Sequence, residues 1–342
     1  MEKSNTFFEK ALSRRRFVAG ASSVAAVTAL AGCGDEPPIV TPNVTPTYTD
    51  ADILNFALNL EYLEAEFYLR AATGAGLASG DIGGSTATIT VPATTKVTTQ
   101  YGGAALTTAQ QNVLNELAYT EQQHVRFLRT QLGSSAVPRP AIDFVNSVAT
   151  IAKLAGLPST YNPFANFDAF ITLAAIFEDL GVTAYNGGAP LISKTSSGKV
   201  ILAAAAGIMA TEAYHGATLR AYLYSQAATL GSTYPFVTYF NQVQGVISTL
   251  STPAASNSGY GTLNIQVTAT PTTVATIGAA ATIPNVVPAD ANGLAFHRTP
   301  DQVLHVAYGT LSSTGGSSST AGVSAGGFYP SGFNGNIKTT QS

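Results

Sequence analysis

One chemical phrase occurs twice in this chain, and it restricts the fold more than any other feature. Glu61 is followed by Tyr68, and then by Glu121-Gln-Gln-His124 with Leu128-Arg129. Further on, Glu178 is followed by Tyr185, and then by Glu212-Ala-Tyr-His215 with Leu219-Arg220. The two copies supply four carboxylates and two imidazoles in a fixed order. A helical bundle holds a pair of metal ions with such a set, one Glu from each of two helices and Glu-x-x-His from each of the other two. A single Glu-x-x-His would mean little. Its repetition after a repeated Glu-x6-Tyr is the signal.

Helical phase supports this reading. A helix advances about 100° per residue, so Tyr68 lies about 20° from Glu61 and Glu64 about 60° from it, with Glu66 turned about 140° away. Glu61 and Tyr68 are therefore expected to point inward and Glu66 to face solvent, while Glu64 is read as an exposed-edge residue, with an additional carboxylate at the site as the alternative. The same arithmetic places Leu114, Leu117 and Leu128 on the stripe of Glu121 and His124, with Glu116 opposite. It groups Ile171, Ala174 and Tyr185 with Glu178, and Ala205, Ile208 and Leu219 with Glu212 and His215. A carboxylate in an apolar stripe must be paired, protonated or metal-bound. Arg129 and Arg220, two turns downstream, could each serve one carboxylate at most. Two divalent ions would neutralise all four, and carboxylate with imidazole suits iron or manganese, with zinc left open by ligand type. Tyr68 and Tyr185 are either donors that orient ligand carboxylates or core aromatics. His297 and His305 stand outside the repeats and read as structural.

The elements follow from caps and breaks. Asp50 or Asp52 can cap a first helix running to about Ala72, before Thr73-Gly74. The Thr- and Gly-rich segment 77–106, with the alternating Ala87–Val91 and a second stretch near Val97, reads as a hairpin excursion. Thr107 or Thr108 opens a second helix to about Gln131. Residues 133–166 hold Pro138, Pro140, Pro158 and Pro163, with a short helix between Ala141 and Leu154. A third helix covers about 166–187 and a fourth about 198–230. The expected architecture is an all-α four-helix bundle at 50–232, with a long crossover between helices 2 and 3. The 233–342 extension is read as Gly/Ser/Thr-rich and irregular with minor β. It contains a helix at Phe236–Leu250, an alternating strand at Leu263–Val267 and a short helix at Asp301–Tyr308 behind Thr299 and Pro300.

Residues 1–33 read as an export address. Ser13-Arg14-Arg15-Arg16-Phe17-Val18 resembles a twin-arginine signal, and the apolar run that follows is too short to span a bilayer. It ends in Leu30-Ala31-Gly32-Cys33, which resembles a lipoprotein box, with plain cleavage after Ala31 as the alternative. Cys33 is the sole cysteine, so no intramolecular disulfide forms. Residues 34–49, with four prolines, read as a tether. The expected location is the outer side of a bacterial membrane, anchored through a lipid on Cys33. Removing residues 1–33 takes five basic residues from 16 and two acidic residues from 19, leaving a net charge of −6. That balance argues against a nucleic-acid partner. The sequence leaves the oligomeric state open.

Several separated motifs resemble one family. Phe177-Glu178-Asp179-Leu180-Gly181-Val182-Thr183-Ala184-Tyr185 with Ala189-Pro190-Leu191-Ile192 is similar to a signature of desiccation-related proteins with a ferritin-like domain. So are Glu212-Ala-Tyr-His215 with Leu219-Arg220, Arg298-Thr-Pro-Asp-Gln-Val-Leu304, and Gly326-Gly-Phe-Tyr-Pro330 with Asn334-Gly335. The resemblance runs from about residue 50 to 335 and implies a ferritin-like four-helix core, linked by name to drying stress. Two functions compete on this reading. One is a dinuclear iron or manganese protein reacting with dioxygen or peroxide, as a ferroxidase or a manganese catalase-like enzyme does. Glu61 and Glu178 would then be terminal ligands, Glu121 and Glu212 bridges, and His124 and His215 would complete the two ions. The other is a non-catalytic envelope scaffold in stress protection.

Overall fold

The computed structural model describes residues 48–251, 264–265, 276–277, 281–282, 284–290, 292–309 and 323–339. The export signal, Cys33, the tether before Tyr48 and most of the Leu263–Val267 strand lie outside them. Among the described residues there are seven α-helices: α1 Asp50–Thr73, α2 Thr108–Leu132, α3 Asn146–Ala155, α4 Phe167–Gly188, α5 Ser196–Leu230, α6 Phe236–Leu250 and α7 Pro300–Tyr308. Two pairs of very short strands accompany them, β1 Ile89–Thr90 with β2 Ile142–Asp143, and β3 Thr276–Ile277 with β4 Ala281–Thr282.

Side-chain caps fix the starts of the four long helices. Thr49 opens α1 in a capping box closed by Asp52, and Thr107 opens α2 in the same way with Gln110. Asn166 caps α4 and Thr195 caps α5. Each cap satisfies a backbone N–H that would otherwise lack a partner. The aspartates expected to cap α1 act differently. Asp52 is the return arm of the box, while Asp50 accepts hydrogen bonds from the Ser193 amide and hydroxyl just before α5. Gly74 ends α1 in the left-handed conformation, with φ of 87°.

The bundle is made of two hairpins, α1 packed on α2 and α4 packed on α5, with the long 133–166 connection between them. The inner helices are α1 and α4, buried without a break from Ile53 to Tyr68 and from Phe167 to Gly181. The outer helices α2 and α5 bury one stripe each, and Tyr119 and Tyr214 are exposed on them. Phe67 stacks on Phe170, with ring centroids 5.0 Å apart, and so joins the two inner helices.

The 77–106 segment is not the expected hairpin. Its alternating stretch pairs in parallel with Ile142–Asp143, well beyond the intervening α2. The stretch near Val97 is tied to α1 by its amide, which donates to the Ala71 carbonyl. A short turn follows, through Gly102 and Gly103, both at positive φ, with an isolated bridge from Thr99 to Ala105. Alternation marked a strand correctly, but it cannot say which partner lies nearby.

The C-terminal part covers the inner helices. Helix α6 packs on α3, α4 and α5, and α7 packs on α4 and α6. Residues 323–339 are irregular, as expected, and are fastened along α1. The Tyr329 hydroxyl donates to the Asn59 carbonyl, and Asn59 exchanges two hydrogen bonds with the backbone of Asn334. Asn336 reaches Asp52 at 2.7 Å. The crossover corrects the reading of Glu66 as a solvent residue. Glu66 is fully buried and paired with Arg70 and with Arg139 of the crossover. Phase arithmetic found the side of α1 that it occupies, but that side is lined by protein.

Candidate metal centre

Each proposed ligand projects from the middle of a long helix toward the space between the two hairpins. Glu61, Glu121, Glu178 and Glu212 are all fully buried. His124 Nδ1 lies 2.9 Å from Glu121, 3.2 Å from Glu61 and 3.4 Å from Glu212. His215 Nδ1 lies 3.1 Å from Glu121 and 3.4 Å from Glu178. Two groups of donor atoms result, Glu61, Glu121, His124 and Glu212 in one, and Glu121, Glu178 and His215 in the other. Within each group the atoms lie within 4.8 Å of one another. Glu121 belongs to both.

The hydrogen bonding around these groups is incomplete. Glu121 Oε1, Glu178 Oε2 and both oxygens of Glu212 are buried without a hydrogen-bond partner among the described residues. His215 Nδ1 is close enough to Glu121 but is not aligned to donate to it. These atoms converge on common points rather than on each other. An unpaired buried carboxylate is costly, and several sharing one space are costlier still. The donor set therefore fits cations.

Electrostatics agree. Burial, reinforced by neighbouring carboxylates, raises the Glu212 carboxyl well above the ordinary carboxylate range. Burial also raises Glu178, although His215 opposes the shift. Burial disfavours charge on His215, but Glu121 and Glu178 outweigh it and push the imidazole up to about 10. His124 is held far above its ordinary value against the same burial, by Glu61, Glu121 and Glu212. Without metal, the cluster gathers protons to balance its charge.

The repeat carries a second layer. Tyr68 on α1 donates to Glu178 on α4 at 2.6 Å, and Tyr185 on α4 donates to Glu61 on α1. Each copy's tyrosine thus holds the other copy's glutamate. Burial, then the adjoining carboxylate, raises both phenols well above their ordinary value, so they keep their protons and donate. The arginines serve differently from expectation. Arg129 donates to the Tyr62 hydroxyl at 2.7 Å, and Arg220 pairs with Asp179 at 2.6 Å. Tyr62 and Asp179 are the residues immediately after Glu61 and Glu178, so the arginines grip the helix beside the ligand and leave the ligand free.

Glu64 is not at an exposed edge. It is 3% exposed and lies inside the cluster's field. Burial first, then Glu212, Glu61, Glu121 and Glu178, raises its carboxyl well above the ordinary range. Its position three residues after Glu61 was the available clue. Glu116 is exposed as expected, and neither His297 nor His305 belongs to a donor group.

The sequence profile of the ferritin-like domain matches residues 49–225, more than half of the chain. The chain belongs to the ferritin-like domain family. Among curated relatives of this ferritin-like chain, the ferritin-like catalase Nec2 of Nesocodon mauritianus is 27% identical over 297 residues, covering 84% of each chain. The desiccation-related protein PCC13-62 of Craterostigma plantagineum is 29% identical over 266 residues, covering 75% of this chain and 76% of its own. No solved structure gives a significant match to the ferritin-like chain. Both relatives agree with the desiccation-related, ferritin-like family that the separated motifs resemble.

Proposed function

We propose that Glu61, Glu121, His124, Glu178, Glu212 and His215 hold two ions of iron or manganese, and that this centre consumes peroxide. The observation that carries the reading is the set of buried, unpartnered carboxylate oxygens converging with two imidazoles. Glu121 would be the residue shared between the two ions, because it alone belongs to both donor groups. A bound pair of redox-active ions would supply two-electron exchange, oxidising one peroxide to dioxygen while reducing another to two waters. The relative named as a ferritin-like catalase supports peroxide over the ferroxidase alternative.

The chain's own residues set the conditions for that chemistry. Tyr68 and Tyr185 fix the orientation of Glu178 and Glu61. The four glutamates are sealed from water, while the His124 and His215 side chains keep 10% and 12% exposure.

Metal analysis and oxygen evolution test this reading. The chain reconstituted with Mn(II) or Fe(II) should bind two ions and release dioxygen from peroxide, and His124→Ala with His215→Ala should lose both properties. Two bound ions with no turnover of peroxide would favour the scaffold reading, which the desiccation-related relative supports. We further propose export by the twin-arginine signal at residues 13–18 and anchoring through Cys33. Cys33→Ala should release the protein from the membrane fraction, and continued membrane retention would argue against the anchor.

A further inference from the structure

Buried glutamates on α1 are treated in two ways. Glu66 is fully buried and receives two guanidinium groups, from Arg70 and Arg139. Glu64, two residues earlier and 3% exposed, accepts no hydrogen bond and forms no ion pair among the described residues. The charges that act on it are those of Glu212, Glu61, Glu121 and Glu178, all of its own sign. A fold that balances one buried carboxylate so fully has left its neighbour without a protein cation.

Glycine at position 181 shows where that carboxylate points. A Cβ built on Gly181 would fall within 3.5 Å of both Glu212 Oε2 and Glu64 Oε1. Helix α4 therefore carries no side chain in the space that these two carboxylate oxygens flank, although Glu64 itself stands outside both donor groups. Gly181 lies three residues after Glu178, on the helical face that presents this ligand. Like charges brought together in a dry space need a cation to hold them there. Glu212 is already one of the donors, and both of its oxygens lack partners.

We infer that Glu64 is a seventh residue of the metal centre, a fifth carboxylate that ligates the ion pair on the side of Glu212. The inference rests on the two-metal reading. It gives the centre one negative charge more than two divalent ions cancel. That excess favours the more highly charged, oxidised ions.

The test uses the purified full-length chain, stripped by chelator and titrated with Mn(II) by calorimetry, with melting temperatures recorded before and after loading. Wild type should bind two ions. Glu64→Gln removes an unbalanced charge at nearly constant shape, so the metal-free variant should melt no lower than wild type. Its affinity for at least one ion should fall by about tenfold or more, with a smaller rise in melting temperature on loading. A residue with a merely structural role would show the reverse, a lower metal-free melting temperature and unchanged binding. Glu64→Asp is a second variant, which keeps the charge and shortens its reach, so the chain should fold and lose affinity in the same way. Two ions bound within about twofold of wild-type affinity in both variants would overturn the inference while leaving the two-metal reading intact. A wild-type chain that binds no Mn(II) would overturn both.

Discussion

Single side chains in this protein are held in reciprocal pairs. Tyr68 bonds to Glu178 and Tyr185 bonds to Glu61, so each hairpin positions a ligand of the other. Replacing either tyrosine by phenylalanine keeps the aromatic volume and removes a donor from a buried carboxylate. Tyr68→Phe and Tyr185→Phe should each weaken Mn(II) binding by about 10- to 100-fold, as loss of an orienting partner does at other metal sites. Calorimetric titration of the two variants measures this, and wild-type affinity in both would mean the phenols serve only the core. Spacing alone had grouped Glu61, Glu121, Glu178 and Glu212 with the two histidines, because helical phase depends on local geometry. It misjudged Glu66 and left Glu64 between the site and an exposed edge, because phase reports direction and says nothing of what lies there. Arg139 of the crossover and the 323–339 segment on α1 fill the space that the sequence assigned to solvent.

Among the elements, the boundaries most legible in sequence were those with side-chain caps. Thr107, Asn166 and Thr299 each accept from a backbone amide at a helix start, while α6 runs over the expected Phe236–Leu250 behind Pro235 with no side-chain cap. The parallel pairing of Ile89–Thr90 with Ile142–Asp143 was not legible, because it joins segments separated by a whole helix. Orientation between helices depends on contacts of the same long-range kind. Arg220 shows this at α4 and α5. It is fully buried, pairs with Asp179 beside Glu178, donates to the Asn285 carbonyl and sits 4.9 Å from the Phe240 ring centroid. One side chain thus ties α5 to α4, α6 and the 284–290 segment. Arg220→Leu would leave Asp179 buried without its guanidinium, a loss that costs about 3–5 kcal/mol. Urea unfolding should show that destabilisation, and a change below about 1 kcal/mol would mean that Gln244, which also donates to Asp179, is a sufficient partner.

On the two-metal reading, the whole molecule couples its stability to protons and metal through the same cluster. Burial opposes charge on His215, but Glu121 and Glu178 raise it from 6.5 to about 10. Its contribution is therefore fully present below about pH 6.5 and is lost as pH rises through about 10. Burial and neighbouring carboxylates raise Glu64 and Glu212 above 4.5, and burial raises Glu178 despite His215. The native state keeps those protons where the unfolded chain releases them, so these groups also make folding less favourable as pH rises beyond about 4.5. Both kinds of group act in one direction, and the metal-free protein should lose stability steadily from mildly acidic to alkaline pH. Metal binding displaces the same protons, so its affinity should increase over that range. Ligand that binds the native state stabilises it in proportion to the logarithm of its occupancy term. The difference in melting temperature between Mn(II)-loaded and metal-free protein should therefore widen from pH 6 to pH 9 at fixed free metal. Thermal melts at three pH values in that interval measure the gap. A gap that stays constant or narrows would show that the ions do not replace the protons held by Glu64, Glu178, Glu212 and His215.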